Sequence, residues 1–452
     1  MNSLKKRPQE SVPSRSPLVS RFENKKLLIL MVVVIITILV DSQIGYIADF
    51  IPEQLSSRLG VAVFIAIVIV FAITQYFILT YIKQSNKENR ARALHLGTTN
   101  SIVSIAQYLL AGILAAVILQ IIITQQYSIV TLYASYAISF GLWIGTLGLL
   151  ARAFFSWYKL SNKNIMVLIL ALSMVAYVIN GVIGLAEHTD IMTQQKMVIS
   201  TDDVARFPEF SIASLGSQIA AANAIASGAA YVLTWIGTVK LLYPYIRRLG
   251  KVKFWIIMGA TMIYYLLEFP LFVLGYFTPS ENVDAMTNVL IFSFAGVLTG
   301  IIFGAAFLSV ARTLQKESDL RNHMIMAAYG FILFYISGTA MASQAAYPPY
   351  GLVSISFIGL SCNMIYSGLY SSAVTVSQDV ALRHSIRKSV TEQSKLLDSI
   401  GTAQMEQELQ SRVLTITKKL SDRMEEETGV EASITVEDMK EQIEMVRKEI
   451  HK

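Results

Sequence analysis

Long apolar runs separated by short polar connections dominate this chain from residue 27 to residue 377. Each run exceeds about 20 residues, which is the length an α-helix needs to cross about 30 Å of hydrocarbon. The runs are continuously apolar and lack the alternation of membrane β-strands. The pattern therefore predicts an all-α polytopic bundle of about ten transmembrane helices. We place these spans at 27–48, 61–82, 101–124, 128–151, 164–186, 218–242, 253–277, 287–311, 323–345 and 350–377.

Basic side chains divide the connections between these spans into two groups. Segment 1–26 and every second connection after it together hold 22 Lys and Arg, whereas the other connections hold only Arg58, Lys196 and Arg206. Lys and Arg accumulate in cytoplasmic loops. The split predicts that both termini are cytoplasmic, with 1–26 a basic disordered segment, 27–377 the bundle and 378–452 a helical tail.

The composition agrees with a membrane location. Charged residues make up 15% of the chain and the mean hydropathy is +0.53, whereas soluble domains carry about 25% charged residues. The net charge of +6 comes from bases beside apolar runs, so we expect membrane lipids, and not nucleic acid, as the partners of these charges. The single cysteine, Cys362, excludes a disulfide within the chain.

Two carboxylates lie well inside predicted spans, and they are the most informative polar residues of the bundle. Asp41 and Glu268 fall about 21–23 Å from the cytoplasmic boundary when counted at about 1.5 Å per residue. Asn180 and Asn223 belong to the same outer half. An ionised carboxylate at this depth requires water, a partner, a proton or a cation, and no Lys or Arg lies at comparable depth.

Around Glu268 the sequence suggests a binding site. Tyr264 shares its helical face, and Pro270 frees the backbone carbonyl of Leu266 by kinking the helix. These groups could bind a cation or an amine. Three alternatives stay open: Asp41 reaches the outer interface, Glu268 is a structural hydrogen-bonded group, or the two carboxylates pair. The candidate site residues are Glu268, Asp41, Tyr264, Asn180 and Asn223.

The tail carries twelve basic and fifteen acidic residues and two apolar patterns. Leu409, Val413, Ile416 and Leu420 follow helical spacing, and so do Met439, Ile443, Val446 and Ile450. Gly429 suits a helix stop, and Thr435 with Asp438 resembles a capping box. We expect a long helix continuous with the last span, a turn and a short helix. Their apolar faces would pair with each other, with a cytoplasmic protein, or with a second copy in a coiled coil.

Part of this tail resembles a known group of proteins. The residues concerned are Ser399-Ile400-Gly401-Thr402-Ala403-Gln404-Met405-Glu406, Arg423-Met424 and Glu427-Thr428-Gly429-Val430. They resemble the tail of uncharacterised multi-pass membrane proteins of archaea. The resemblance covers about the last 75 residues and contains no chemical motif. It implies a location in an archaeal cell membrane and no activity.

Motifs of enzymes and metal sites are missing from the sequence. There is no GxxxxGK[ST] loop, no GxGxxG after a strand, and no HExxH or CxxC. We therefore expect no enzymatic activity, no cofactor and no metal centre. Two functions remain. One is a membrane sensor or signalling scaffold that couples an outer polar site to the tail; the other is a proton- or cation-coupled secondary transporter that uses an intramembrane carboxylate.

Overall fold

A computed structural model of the chain describes residues 17–47, 58–90, 94–161, 163–201, 215–273, 285–315, 318–338, 347–388 and 392–428. Within these ranges some helical residues, mainly 17–26, 263–273 and 285–295, are described by their backbone alone.

Helices account for nearly all of the described chain. They are α1 (Pro17–Ile47), α2 (Arg58–Ser85), α3 (Lys87–Arg90), α4 (Leu94–Thr124), α5 (Ile129–Leu160), α6 (Ile165–Thr193), α7 (Leu215–Leu242), α8 (Ile246–Leu249), α9 (Lys251–Val273), α10 (Ala285–Thr313), α11 (Asp319–Gly338), α12 (Leu352–Gln378), α13 (Val380–Lys388) and α14 (Glu392–Thr428). A 3₁₀ turn, Tyr243–Tyr245, precedes α8. Strands β1 (Gln126–Ser128) and β2 (Val198–Ser200) pair antiparallel, with Tyr127 opposite Ile199.

The prediction of an all-α fold with long apolar helices is confirmed. Most of each of the ten predicted segments lies in a described helix, and seven described helices are long and apolar enough to cross a bilayer. Leu27–Ser42 in α1 is a shorter apolar stretch. Helix α11 is not among the seven, because polar residues near its start, including Arg321 and His323, lower its mean hydropathy. The count of ten spans stays a prediction.

Helix α12 occupies the centre of the bundle. Its side chains are buried over nearly its whole length, and it packs against α1, α2, α4, α5 and α11. Helix α4, by contrast, exposes a broad apolar face that includes Ile105 and Ile123. An apolar face of this size suits contact with lipid tails.

A second group of helices lies beside this centre. Helix α6 packs between α5 and α7, α10 packs between α7 and α11, and α9 lies beside α7 and α10. Glycines allow α10 to approach α11 closely: a Cβ at Gly304 would come within 2.8 Å of the Ala328 carbonyl oxygen. Small residues serve this purpose at membrane helix interfaces.

The bundle has two distinguishable ends. The β1–β2 pair joins the connections after α4 and α6, and we call this the far end. Helix α14 contacts α5, α6, α7 and α12 at the opposite end, which we call the tail end.

Helix α12 does not continue into the tail, so the predicted continuous helix is wrong. It ends at Gln378, where Asp379 is extended (φ −96°, ψ 103°). The Asp379 side chain accepts a hydrogen bond of 2.9 Å from the Leu382 amide and so begins α13 as a new helix. A salt bridge of 2.9 Å between Arg387 and Asp398 then joins α13 to α14.

The predicted end of the fifth span at residue 186 also needs correction. Helix α6 extends to Thr193, beyond the predicted end at residue 186, and strand β2 follows it. Residues 202–214 lie outside the described residues. The polar residues Glu187 and His188 were expected in the connection after this span. Both instead lie within α6, and their contacts are described below.

Candidate functional site

Two of the predicted site residues, Asn180 and Asn223, lie together between α6 and α7. The Asn180 amide donates to Oδ1 of Asn223 over 2.7 Å, and the Asn223 amide donates to a carboxylate oxygen of Glu187 over 2.5 Å. We call these three residues the α6–α7 polar cluster. Asn180 is nearly buried at 9% exposure. Hydrogen bonding to buried amides explains how a carboxylate is accommodated at this interface.

Sequence reasoning missed Glu187 because it placed the end of this span at residue 186. A signal was available: Asn180 and Glu187 are seven residues apart, so they share one face of a helix.

Closer to the tail end, hydroxyl groups connect α6, α7 and α11. Thr234 Oγ1 lies 2.5 Å from Ser173 Oγ and 2.9 Å from the Tyr177 hydroxyl. Tyr177 also hydrogen-bonds Tyr335. Tyr177 and Asn180 are three residues apart on α6, so this hydroxyl group cluster adjoins the α6–α7 polar cluster by one helical turn.

His188 lies beside the α6–α7 polar cluster in an aromatic setting. It is 5% exposed, and its ring centroid is 5.0 Å from that of Tyr136 and 5.5 Å from that of Phe140. Its Nδ1 atom has no hydrogen-bond partner within the described residues. Since buried ring nitrogens normally have a partner, this atom is unusual among the described residues.

The side chains of Glu268 and Tyr264 lie outside the described residues, but the backbone of α9 places them along the helix. Tyr231 on α7 donates to the Thr261 carbonyl over 2.6 Å, which fixes the antiparallel alignment of α7 and α9. Glu268 is seven residues beyond Thr261, and Asn223 is eight residues before Tyr231. At equal rise per residue, Glu268 and Asn223 lie at about the same level.

Asp41 is fully buried against the start of α12. Its Oδ2 atom accepts a hydrogen bond of 2.8 Å from the Ser354 amide and one of 2.7 Å from the Ser354 hydroxyl. Gly351, with φ +86°, precedes the helix and contributes no side-chain cap. Asp41 therefore caps the central helix from a neighbouring helix, where a negative group is favoured by the helix dipole.

The structure thus separates the five predicted residues. Asn180 and Asn223 are hydrogen-bonded to each other, and Asp41 caps α12. A pairing of Asp41 with Glu268 stays a prediction, because the Glu268 side chain lies outside the described residues. No sequence pattern indicated the Asp41–Ser354 contact, because the two residues are 313 positions apart.

A line of buried polar side chains follows α12 towards the tail end. Gln107 donates to the Ser356 carbonyl over 3.3 Å, Ser367 donates to Asn100 over 2.8 Å, and Ser371 donates to Asn86 over 2.8 Å. Gln75 and Asn363 are also buried in this region. We call the eight residues the α12 polar seam: Gln75, Asn86, Asn100, Gln107, Ser356, Asn363, Ser367 and Ser371.

Several groups of this seam lack partners in the part of the chain that the structure describes. They are both polar atoms of Gln75, the Oε1 atom of Gln107 and the Nδ2 atoms of Asn86, Asn100 and Asn363. At the tail end of the seam, Asn89 lies 3.3 Å from His323 Nε2 and 3.3 Å from the Thr375 hydroxyl. Unpaired groups in a buried row favour the binding of water or a polar solute.

The first part of α14 closes the tail end of the bundle. Gln393 donates to the Leu241 carbonyl at the end of α7 and to the Ser309 hydroxyl on α10, over 3.0 and 3.2 Å. Asn164, the cap of α6, donates to Ser399 over 2.7 Å. These side-chain contacts fix the helix against three others. We call 393–404 the docked part of α14.

Two further contacts hold the docked part. Trp157 on α5 donates to Gln404 over 2.9 Å, and both residues are buried. A Cβ at Gly401 would overlap the Val376 side chain near the end of α12, so glycine permits this close approach.

Among the described residues there is no group of three or more His, Cys, Asp or Glu side chains that could hold a metal ion. The polar groups above are instead mostly amides and hydroxyls, which suit hydrogen bonding and weak cation coordination. Comparison of the chain with models of protein families, with curated proteins and with solved structures found no match.

Proposed function

We propose that the chain is a membrane sensor or signalling scaffold, in which the α6–α7 polar cluster is coupled to α14. One observation carries this proposal: the docked part of α14 is hydrogen-bonded to the tail ends of α6 and α7, the two helices that hold the cluster. A ligand that changes the packing of α6 against α7 would change both attachment points of α14.

The ligand class follows from the groups of the cluster. Glu187 supplies a carboxylate and Asn180 and Asn223 supply amide oxygens, and Glu268 lies at the level of Asn223. This set favours a small cation or an amine. A ligand shifts the protein between two packing states only to the extent that it binds one of them more tightly.

Rigid helices provide the mechanical connection. Asn180 lies 16 residues along α6 from Asn164, a distance of about 24 Å at 1.5 Å per residue. A small tilt of α6 at the cluster therefore displaces its tail end, where Asn164 contacts Ser399. The coupled element is α14, whose remaining part projects from the bundle with exposed apolar side chains.

The proposed setting is a cell membrane crossed ten times, with both termini in the cytoplasm. The uneven distribution of Lys and Arg supports this orientation. So does the position of α14 at the end opposite the β1–β2 pair. The resemblance of the tail to archaeal multi-pass proteins motivates an archaeal cell membrane.

Hydrogen–deuterium exchange in lipid nanodiscs tests the coupling. The probes are Na⁺, Ca²⁺ and tetramethylammonium, and the readout is amide protection in 393–404. We expect one probe to change this protection, and Glu187→Gln to abolish the response. Ser356→Ala, on α12 and away from the cluster, is the control and keeps the response. If no probe and no cluster variant alters exchange in 393–404, the sensor proposal is wrong.

A second candidate, the ion-coupled transporter, is favoured by the α12 polar seam. The seam runs between Asp41 near the start of α12 and His323 near its end, and it contains polar atoms without a partner among the described residues. Titratable groups at both ends of a buried polar row are features of proton pathways.

Proteoliposomes with an internal pH dye distinguish this candidate. Under an imposed membrane potential, a proton-coupled transporter acidifies or alkalinises the lumen, and Asp41→Asn abolishes the flux because it removes the proton-accepting carboxylate. Glu408→Gln, in the tail, is the control. Wild-type protein without ion or proton flux would exclude this candidate.

A further inference from the structure

Beyond its docked part, α14 exposes a row of apolar side chains. Leu409, Val413, Ile416 and Leu420 are 54%, 46%, 58% and 55% exposed, and we call them the α14 seam. Their spacings of 4, 3 and 4 residues place them on one helical face. Such a face is normally covered by another apolar surface.

We propose that residues 435–451 of the same chain cover the α14 seam as an antiparallel helix. Within this segment Met439, Ile443, Val446 and Ile450 repeat the spacings of 4, 3 and 4. The two patterns therefore match when one runs against the other. In this arrangement Leu409 packs against Ile450, Val413 against Val446, Ile416 against Ile443, and Leu420 against Met439.

The length of the remaining chain fits this pairing. Residues 429–434 make a connection of ordinary length for an antiparallel helix pair, and Gly429 at its start suits a helix stop. From Met439 to Ile450 the segment spans about 16 Å as a helix, the same as the α14 seam. The segment is therefore long enough to reach the whole α14 seam.

Charge also favours this segment over a second copy of the α14 seam. Between Leu409 and Leu420 there are three basic residues and no acidic one. Two copies of this stretch would bring like charges together, which disfavours pairing. Residues 435–451 instead carry five acidic and three basic side chains, and antiparallel pairing brings Glu449 beside Arg412.

The length of the seam gives a third reason. Four apolar positions over 12 residues make less than two heptads, and helical segments this short are marginal unless they are tethered. A segment of the same chain has a high effective concentration, because the connection holds it near the seam. This pairing does not depend on the proposed sensor function.

Cysteine cross-linking of the full chain tests the pairing. The native cysteine, Cys362, is buried in α12. The double variant Ile416→Cys/Ile443→Cys should form an intrachain disulfide under mild oxidation. Ile416→Cys/Ile450→Cys places the thiols about 10 Å out of register, and it should form little disulfide. Interchain disulfide, or equal reaction of both pairs, would overturn the proposal.

Labelling of a single cysteine gives an independent test. Val413→Cys should react with maleimide several-fold more slowly in the full chain than in a chain truncated after Thr428. Ser411→Cys, on the opposite face of α14, should react at the same rate in both. Equal rates for Val413→Cys in both chains would contradict the pairing. Neither measurement uses protection of 393–404, so failure here is distinct from failure of the sensor proposal.

Discussion

The two parts of α14 have similar apolar spacing and opposite environments. Leu396, Ile400 and Ala403 are spaced by 4 and 3 residues and are at most 2% exposed, whereas Ile416 and Leu420 are more than half exposed. The docked part differs by its small residue Gly401 and by polar side chains that have specific partners on the bundle. Spacing alone thus identifies an apolar face, whereas small residues and fitted polar groups determine where that face packs.

The same substitution in each part should give the largest contrast. Ile400→Ala removes a buried side chain and should lower the unfolding free energy of the bundle by about 2–5 kcal/mol. Ile416→Ala should change bundle stability by about 0.5 kcal/mol or less, because the Ile416 side chain is 58% exposed. Thermal unfolding in detergent measures both. Equal losses for the two variants would show that the projecting part also packs on the bundle.

Gly401 tests how closely the docked part approaches α12. Gly401→Val should destabilise the bundle by about 3 kcal/mol, because its side chain overlaps Val376. It should also increase maleimide labelling of Ser399→Cys, a half-buried position in the docked part. Ser411→Val introduces the same side chain in the projecting part and should affect neither measurement. Unchanged labelling in Gly401→Val would contradict the observed packing.

Gln393 tests the polar attachment to α7 and α10. It is 2% exposed, and Gln393→Ala leaves the Leu241 carbonyl and the Ser309 hydroxyl without this donor. We expect a loss of about 1–3 kcal/mol in unfolding free energy. Gln407→Ala is the matched control, since Gln407 is exposed on the same helix. A loss in the control equal to that in Gln393→Ala would attribute the effect to helix propensity.

The smallest expected effect concerns the Trp157–Gln404 hydrogen bond. A double-mutant cycle with Trp157→Phe and Gln404→Leu should give a coupling energy of about 0.5–1.5 kcal/mol. Thermal unfolding of the four proteins measures it. Additive effects of the two substitutions would mean that this bond contributes nothing to docking.

Prediction from sequence was most successful for the helices themselves and for residues at similar depth on spans that follow each other in the chain. Asn180 and Asn223 were expected at similar depth, and they are hydrogen-bonded. Asp41 was recognised as unusual, but its role as a cap for α12 was missed because Ser354 is distant in sequence. Glu187 was missed because the polar end of α6 resembles a loop until its partner on α7 is known.

The sequence by itself determined the all-α class, the apolar helices and the apolar faces of the tail, because these depend on residue spacing and on the hydropathy of single segments. Only the tertiary structure decided that α12 is central, that Asp41 caps it, that the helix ends before Asp379, and that α14 crosses the ends of its neighbours. Those features depend on which distant residues come into contact. In a bundle where nearly every helix is apolar, hydropathy does not distinguish a helix surrounded by protein from one surrounded by lipid.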